Sequence, residues 1–440
     1  MIGLGLGINN LKGIPGRYSI EGVTPLSVWD AANQIARSGG DAIPLQTLFA
    51  NTRNGTATYV DAAGAIVTQP ANLTRTNAFI GGVSHALFEP AGTNFYTYSS
   101  DLTNAVWGSL RTDFSTGAAA PVSGEAFLLG EASETNSNGS TVAVFVLSRA
   151  AGTYTQSVHV DPQTSGGGWM CIRPTDNGSF NDRAQAWFDI GNAATGTVSA
   201  EGSNFSAATS GIEVLPDGTL RCWITYTISS TTNVSGRYYI CDGDNTLTVT
   251  LGKKLSLWGA NLVESAFLTS YIPAVAIAVT RLADAASCAL TTLPVDTTGG
   301  TIFVEGRAYY DAAGSATPII FRIDDGTVNN HVSLAIDESG DNLVYSVMAG
   351  GVLQASEAMS YTSGAAFIAA IRFVGNDCIL SLGGANSIAD TSVTLPSGLD
   401  TFRWGQDSAG AHGSAVKAIS KFRSFGYEFT TAEMDAETGA

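Results

Sequence analysis

The chain has 440 residues, 44% of them hydrophobic and only 13% charged, with 50 glycines; that length suits two or three domains, and so much glycine favours short strands joined by tight turns over helices. Its formal charge is −17, from 21 Lys and Arg against 38 Asp and Glu, which repels a phosphate backbone and excludes nucleic acid as a partner. Five cysteines, Cys171, Cys222, Cys241, Cys288 and Cys378, stand singly with no C-x-x-C pair, which argues against a disulfide framework and a zinc site and for buried free thiols.

The opening "MIGLGLGINN" has neither the basic region nor the long apolar run of a secretion signal. Its "GLGLG" is no phosphate cradle, since no Lys-Ser/Thr follows. The longest apolar stretch elsewhere, "YIPAVAIAV" from Tyr271 to Val279, falls short of the roughly 20 residues that span a bilayer. The expectation is a protein made in the cytoplasm, with no membrane insertion. Residues 1–52 read as a short irregular attachment segment with one predicted helix. Ser27 would cap "VWDAANQIARSGG", where Val28, Ala31, Ile35 and Ala36 form an apolar stripe and Gly39 stops it.

From Ala57 the pattern changes to period two. "ATYVDAAGAIVTQ" predicts two short strands about a turn at Asp61–Gly64. Further strands follow in "TYTQSVHVDP", "RAQAWFDIG", "TLRCWITYTI", "GRYYICDGD" and "KKLSLWGANL". In the first of these Tyr154, Gln156, Val158 and Val160 alternate with Thr155, Ser157 and His159, the pattern of an antiparallel strand with one wet face. In "LSLWGANLVESAFLTSYIPA", Leu255, Leu257 and Gly259 alternate with Ser256, Trp258 and Ala260. A loop to Pro273 then crosses the sandwich, with Tyr271 as a packing anchor and Trp258 in or near the core.

After a turn-rich stretch around Pro294 and Gly299–Gly300, a second strand series runs from "GTIFVEGRAYY" through "TPIIFRIDDG", "HVSLAIDESGDNLVYSVMAGG", "AAFIAAIRFVGNDCILSLGG" and "DTFRWGQ" to "AISKFRSFGYEF". The fold class predicted is all-β: two tandem antiparallel β-sandwiches over residues 53–290 and 291–440, behind the segment 1–52.

Three blocks, "NGTATYVDAAGAIVTQPANLTRTN", "ALFEPAGTNFYTYSSDLTNAVW" and "LSLWGANLVESAFLTSYIPAVAIAVTRLADAAS", lie in that order between about residues 52 and 287. Together they resemble a widespread group of tailed-phage and prophage virion proteins. The chain departs from the group's pattern at Phe88-Glu89-Pro90 and at Asn261-Leu262-Val263-Glu264. The resemblance implies a jelly-roll sandwich similar to carbohydrate-binding modules over 53–290. The part after Thr301 looks like the laminin-G or concanavalin-like sandwich that often follows it. The implied role is that of an exterior fibre, spike or decoration protein of a virion, made in the bacterial host cytoplasm. Its partners would be other virion proteins, reached through the N-terminal segment, and host cell-surface polysaccharide. Fibres and spikes are usually homo-oligomers, although no coiled-coil heptad announces one here. A different class of role is a purely structural capsid or tail cement that binds no sugar. A third is a polysaccharide depolymerase.

No catalytic residue, cofactor or metal ligand is predicted. There is no G-x-S-x-G elbow, and His85, His159, His331 and His412 read as surface or turn residues without a nucleophile partner. "EMDAE", with Glu433, Asp435 and Glu437, imitates the alternate carboxylates of a glycanase strand. It sits, however, behind Thr430–Thr431 with a glutamate three positions on, the signature of a capped terminal helix. Asp242 and Asp244 open a calcium-like loop that lacks the glycine and glutamate an EF-hand needs. Asp324–Asp325 reads as a turn, with calcium at a sandwich rim as the alternative. The candidate site is carbohydrate-binding: Trp169, Arg173, Asp176, Asn177 and Trp187 supply aromatic faces for pyranose C–H surfaces and polar groups for hydroxyls.

Overall fold

The computed structural model describes residues 17–310, 317–337, 341–387, 389–410 and 415–440. The opening "GLGLG" and His412 lie outside them. The described residues form antiparallel sheets almost throughout, as the period-two alternation requires. They group into two compact units, and the chain passes between them four times. Among the described residues one unit comprises 17–56, 69–90 and those of 282–440; the other comprises 57–68 and 91–281. The boundaries read from the sequence, at 52 and 290, are thereby redrawn. Residues of the N-terminal segment are part of the first unit, and the second unit is inserted into it.

In the inserted unit a six-stranded sheet runs in the order Thr112–Ala119, Ala126–Ala132, Lys254–Glu264, Gly152–Val160, Leu220–Ile228, Phe205–Val214. A seven-stranded sheet is built around Ser140–Arg149, Thr232–Cys241, Trp169–Ile172 and Ser179–Asp189, with Ala194–Glu201 paired to the last. One apolar core draws on both: Val158, Cys222, Ile224, Leu255 and Leu257 from the first meet Met170, Ile172, Ala186, Phe188 and Ile240 from the second. The predicted hairpin is present, Ala57–Val60 against Ile66–Gln69, with Gly64 at φ +85° in its turn.

Two expectations about strand faces need correcting. Gly152–Val160 has no wet face, because Tyr154 to Val160 are all buried. The loop after Glu264 covers the polar side: Thr155 Oγ1 donates to Ser265 O, and His159 packs on Trp258 and Tyr271. The alternation along Lys254–Glu264 also changes phase. Leu255 and Leu257 face the core, but beyond Gly259 it is Ala260 and Leu262 that do. Gly259 sits at φ +66° where the pairing register to Ser157 and His159 shifts. A Cβ there would lie 2.8 Å from His159 Nδ1, so the bulge needs glycine on both counts. Trp258 and Tyr271 are buried as expected, with ring centroids 4.9 Å apart, and Trp258 Nε1 donates to Glu125.

The first unit also pairs two sheets. In one, Ala415–Phe425 lies between Gly299–Tyr310 on one side and both Ser27–Asp30 and Val83–Phe88 on the other. The second runs Val352–Ser360, Asn342–Ala349, His331–Ile336, Ile319–Asp324, Thr401–Trp404, Ala286–Ala289, Ala50–Asn51. The helix predicted after Ser27 is a β-hairpin instead: Ser27–Asp30 pairs with Ile35–Ser38 and with Ala415–Phe425. The apolar stripe that suggested the helix is real, but Val28 and Trp29 are both buried. Pairing with a distant strand overrides the local preference. At the other end, Thr431–Thr438 is helical, and the Thr430–Glu433 capping box is formed in both directions.

Candidate functional site

The five cysteines are all buried free thiols, and burial pushes Cys171 and Cys288 up to about 12. The three described histidines are not surface residues. His85, His159 and His331 are 3%, 1% and 8% exposed, and none touches a nucleophile in a groove. The "EMDAE" carboxylates are engaged structurally. Glu433 caps its helix, Asp435 accepts from Ser381 Oγ and Asn386, and Glu437 pairs with Arg423 at 2.6 Å. Asp324 is buried between Arg403 at 2.8 Å and Arg322 at 3.4 Å, so its charge is already matched by guanidinium. Asp325 closes its turn by accepting from Thr327 and Asn330. Asp242 and Asp244 accept from Thr250 and Thr197 respectively. Among the described residues no cluster of three His, Cys, Asp or Glu is placed to hold a metal ion.

The predicted sugar-binding residues fall on the strand Trp169–Ile172, its continuation, and the neighbouring Ser179–Asp189. Side chains alternate across a strand, and here the even-numbered residues Met170, Ile172, Ala184, Ala186, Phe188, Val234, Tyr238 and Ile240 enter the core. The odd-numbered ones therefore share the outer face of the seven-stranded sheet. Register fixes their neighbours. Cys171 stands opposite Trp187 on one side and Tyr239 on the other, while Thr175 stands opposite Arg183 and Ser235. Arg173, midway between them, donates its backbone N–H to Arg237 O at 2.9 Å.

Trp187 does not serve as a platform. It is 2% exposed, packed with Cys171, Tyr239 and Cys241, and its Nε1 donates to Thr246 O at 3.0 Å. Trp169 on the same face is half-buried. Gly196 approaches it so closely that a Cβ there would lie 2.7 Å from its Cζ3. Asp176 is consumed by its turn, accepting from Gly178 N at 2.7 Å and Thr232 Oγ1 at 2.8 Å, and Asn177 is exposed at the tip.

Arg173 is the informative residue. Its guanidinium is half-buried, its Nε is enclosed without a hydrogen-bond partner, and burial followed by the nearby charge of Arg183 lowers its pKa. Around it stand groups that the sequence reading missed. Arg183 bonds Gln185 Oε1 at 3.1 Å and pairs with Glu201. Arg237 bonds Ser235 Oγ at 3.0 Å and lies 4.8 Å over the ring of Phe180, itself 55% exposed. The spacing Arg183, Gln185, Trp187 was a usable signal, since residues two apart on a strand share a face.

No protein-family model matches the chain, and no curated protein shows significant similarity to it. Among solved structures it is similar to the Ruminococcus gnavus IT-sialidase CBM40 bound to α2,3-sialyllactose, at 13% identity over 32% of this chain and 83% of that one, TM-score 0.29. It is also similar to domains LG4-5 of the mouse laminin α1 chain, at 12% identity over 66% and 85%, TM-score 0.23. A third likeness is to the Trypanosoma rangeli sialidase in complex with the inhibitor DANA, at 9% over 86% and 67%, TM-score 0.27. Likenesses this distant carry no assignment of activity or ligand.

Proposed function

We propose that the chain is an exterior component of a tailed-phage or phage-like virion, a fibre, spike or decoration protein, and that it holds host surface glycan on the outer sheet face of its inserted unit. The virion role is supported by the ordered three-block resemblance between about residues 52 and 287. Glycan binding is supported by one observation: Trp169, Arg173, Arg237 and Phe180 reach solvent on one sheet face, combining ring surfaces for sugar C–H groups with donors for hydroxyls. A rigid strand scaffold holds such groups more firmly than a loop does.

The test is retention of the purified full chain on immobilised host-cell polysaccharides. Retention on at least one, weakened at least tenfold by Trp169→Ala, is the expected outcome. Retention on none would leave the structural cement role.

A further inference from the structure

The outer face of the seven-stranded sheet gathers three arginines in a chain that is acidic as a whole. The chain as a whole has 38 acidic residues against 21 basic ones. On this face Arg173, Arg183 and Arg237 stand on neighbouring strands, and among the described residues Glu201 is the one carboxylate ion-paired with any of them. That pairing serves Arg183. Arg237 has neutral partners, Ser235, Tyr239 and the ring of Phe180. Among the described residues no side chain bonds the Arg173 guanidinium, and its Nε is enclosed.

The positions of Arg173 and Arg237 make this costly. Ile172 pairs with Tyr238, so Arg173 and Arg237 are successive cross-strand neighbours on the same face, about 5 Å apart at the backbone. Like charges so placed repel and destabilise the sheet. A fold retains such a pair at a net cost when the pair meets an opposite charge from outside. The charge that acts most on Arg173 besides its burial is that of Arg183, so three guanidinium groups on adjoining strands offer the N–H donors that grip a carboxylate.

We propose that this face takes an acidic glycan, a sugar chain bearing carboxylates, with one carboxylate held between Arg173 and Arg237 and the adjoining pyranose ring against Phe180 or Trp169. The proposal rests on the glycan-binding reading above and narrows it to a charge class. A polyanion is repelled at range by a chain of net charge −17, so retention of one requires a local site of this kind.

The experiment is affinity electrophoresis of the full chain in native gels containing alginate, polygalacturonate or hyaluronan, each beside its carboxyl-reduced, neutral derivative. The expected result is retardation in at least one acidic gel, abolished by carboxyl reduction and weakened at least tenfold by Arg173→Gln and by Arg237→Gln. Melting temperatures of both variants should be unchanged or raised, because each relieves the repulsion. Equal retardation by acidic and reduced forms, indifferent to both substitutions, overturns the charge assignment and leaves glycan binding standing. No retardation in any acidic gel, with retention on a neutral host glycan, has the same meaning. Absence of retention everywhere overturns both readings, and loss of binding accompanied by a lowered melting temperature in both variants assigns the arginines to the fold instead.

Discussion

At the scale of single residues, the three described histidines share an environment that the sequence conceals. Each is buried beside an arginine: His85 near Arg307, His159 near Arg221, and His331 with Nδ1 2.9 Å from Arg322 Nη2. The same Nδ1 lies 3.1 Å from Val328 O, so it either accepts from the guanidinium or donates to that carbonyl, according to the tautomer. Burial first, and the arginine charge after it, hold His85 and His331 down to about 4 and His159 well below its ordinary value. The unfolded chain titrates its histidines near 6.5. Above that pH both states are unprotonated and these groups contribute no pH dependence. As pH falls below it the unfolded chain binds protons that the native one refuses, so stability declines until the native pKa is reached. Each histidine supplies a slope of up to about 1.4 kcal/mol per pH unit. Urea midpoints should therefore fall between pH 6.5 and 5, above the range in which ordinary carboxylates titrate, and His331→Gln should make the fall shallower. A midpoint independent of pH down to 5 would show these rings to be solvated. The same limit on legibility applies to the candidate site. Trp169 and Arg173 are close in sequence and so were open to being grouped, but nothing local shows that Thr246 and Leu247 close over Trp187, because cover comes from a segment about sixty residues away.

Among elements, the segments flanking all four passages of the chain are tied to one buried ion cluster in the first unit. Asp284 pairs with Arg53 and with Arg75, and Arg75 pairs with Glu89; every one of these side chains is 0% or 1% exposed. Asp284 also accepts from Asn51 Nδ2 and Glu89 N, both at 3.0 Å, and Arg53 donates to the carbonyls of Pro70 and Leu73 at 3.0 Å. Asp284 faces both guanidiniums and the buried amine of Lys417, so removing this acid strands buried cations. Asp284→Ala should cost about 3–5 kcal/mol, read as a lowered urea midpoint, while Asp61→Ala in an exposed turn serves as a control. An effect below about 1 kcal/mol would mean that water reaches the cluster. None of this was legible in advance, since the four charges are separated by up to 231 positions and sequence spacing carries no sign of their meeting. Long-range pairing likewise defeated the helix predicted after Ser27. Its hydroxyl meets that of Ser424, 397 residues on, and Trp29 is enclosed by Phe49 and Trp404 at 5.1 and 6.3 Å between ring centroids. The terminal helix was legible because a capping box is local, with donor and acceptor three residues apart.

For the whole molecule, alternation identifies most strands but not their partners, and so it predicts a contiguous pair of sandwiches where the chain interleaves two units. The distinction can be tested with fragments. Residues 291–440 keep Ala415–Phe425 and Gly299–Tyr310 but lose Ser27–Asp30 and Val83–Phe88 from the other flank of Ala415–Phe425. They also lose Ala286–Ala289, which pairs with Thr401–Trp404. With those strands go Trp29, Phe49 and Phe88, all fully buried against Trp404. Truncating one such aromatic costs about 3–5 kcal/mol, so losing three, about 9–15 kcal/mol, is as large as the roughly 5–15 kcal/mol by which a domain is stable. Expressed alone, 291–440 should lack near-ultraviolet circular dichroism and unfold without a cooperative transition. The interleaved unit is a different matter, because the ends of each excision already lie together. Glu89 O accepts from Asp284 N at 3.0 Å, and Arg53 O accepts from Asn72 N at 2.8 Å. Deleting 57–68 and 91–281 and bridging each gap with a short glycine linker should therefore yield a soluble protein with one cooperative thermal transition. If 291–440 instead folds unaided and the bridged protein does not, the strands contributed by residues 17–90 are appendages of the first unit rather than part of its core.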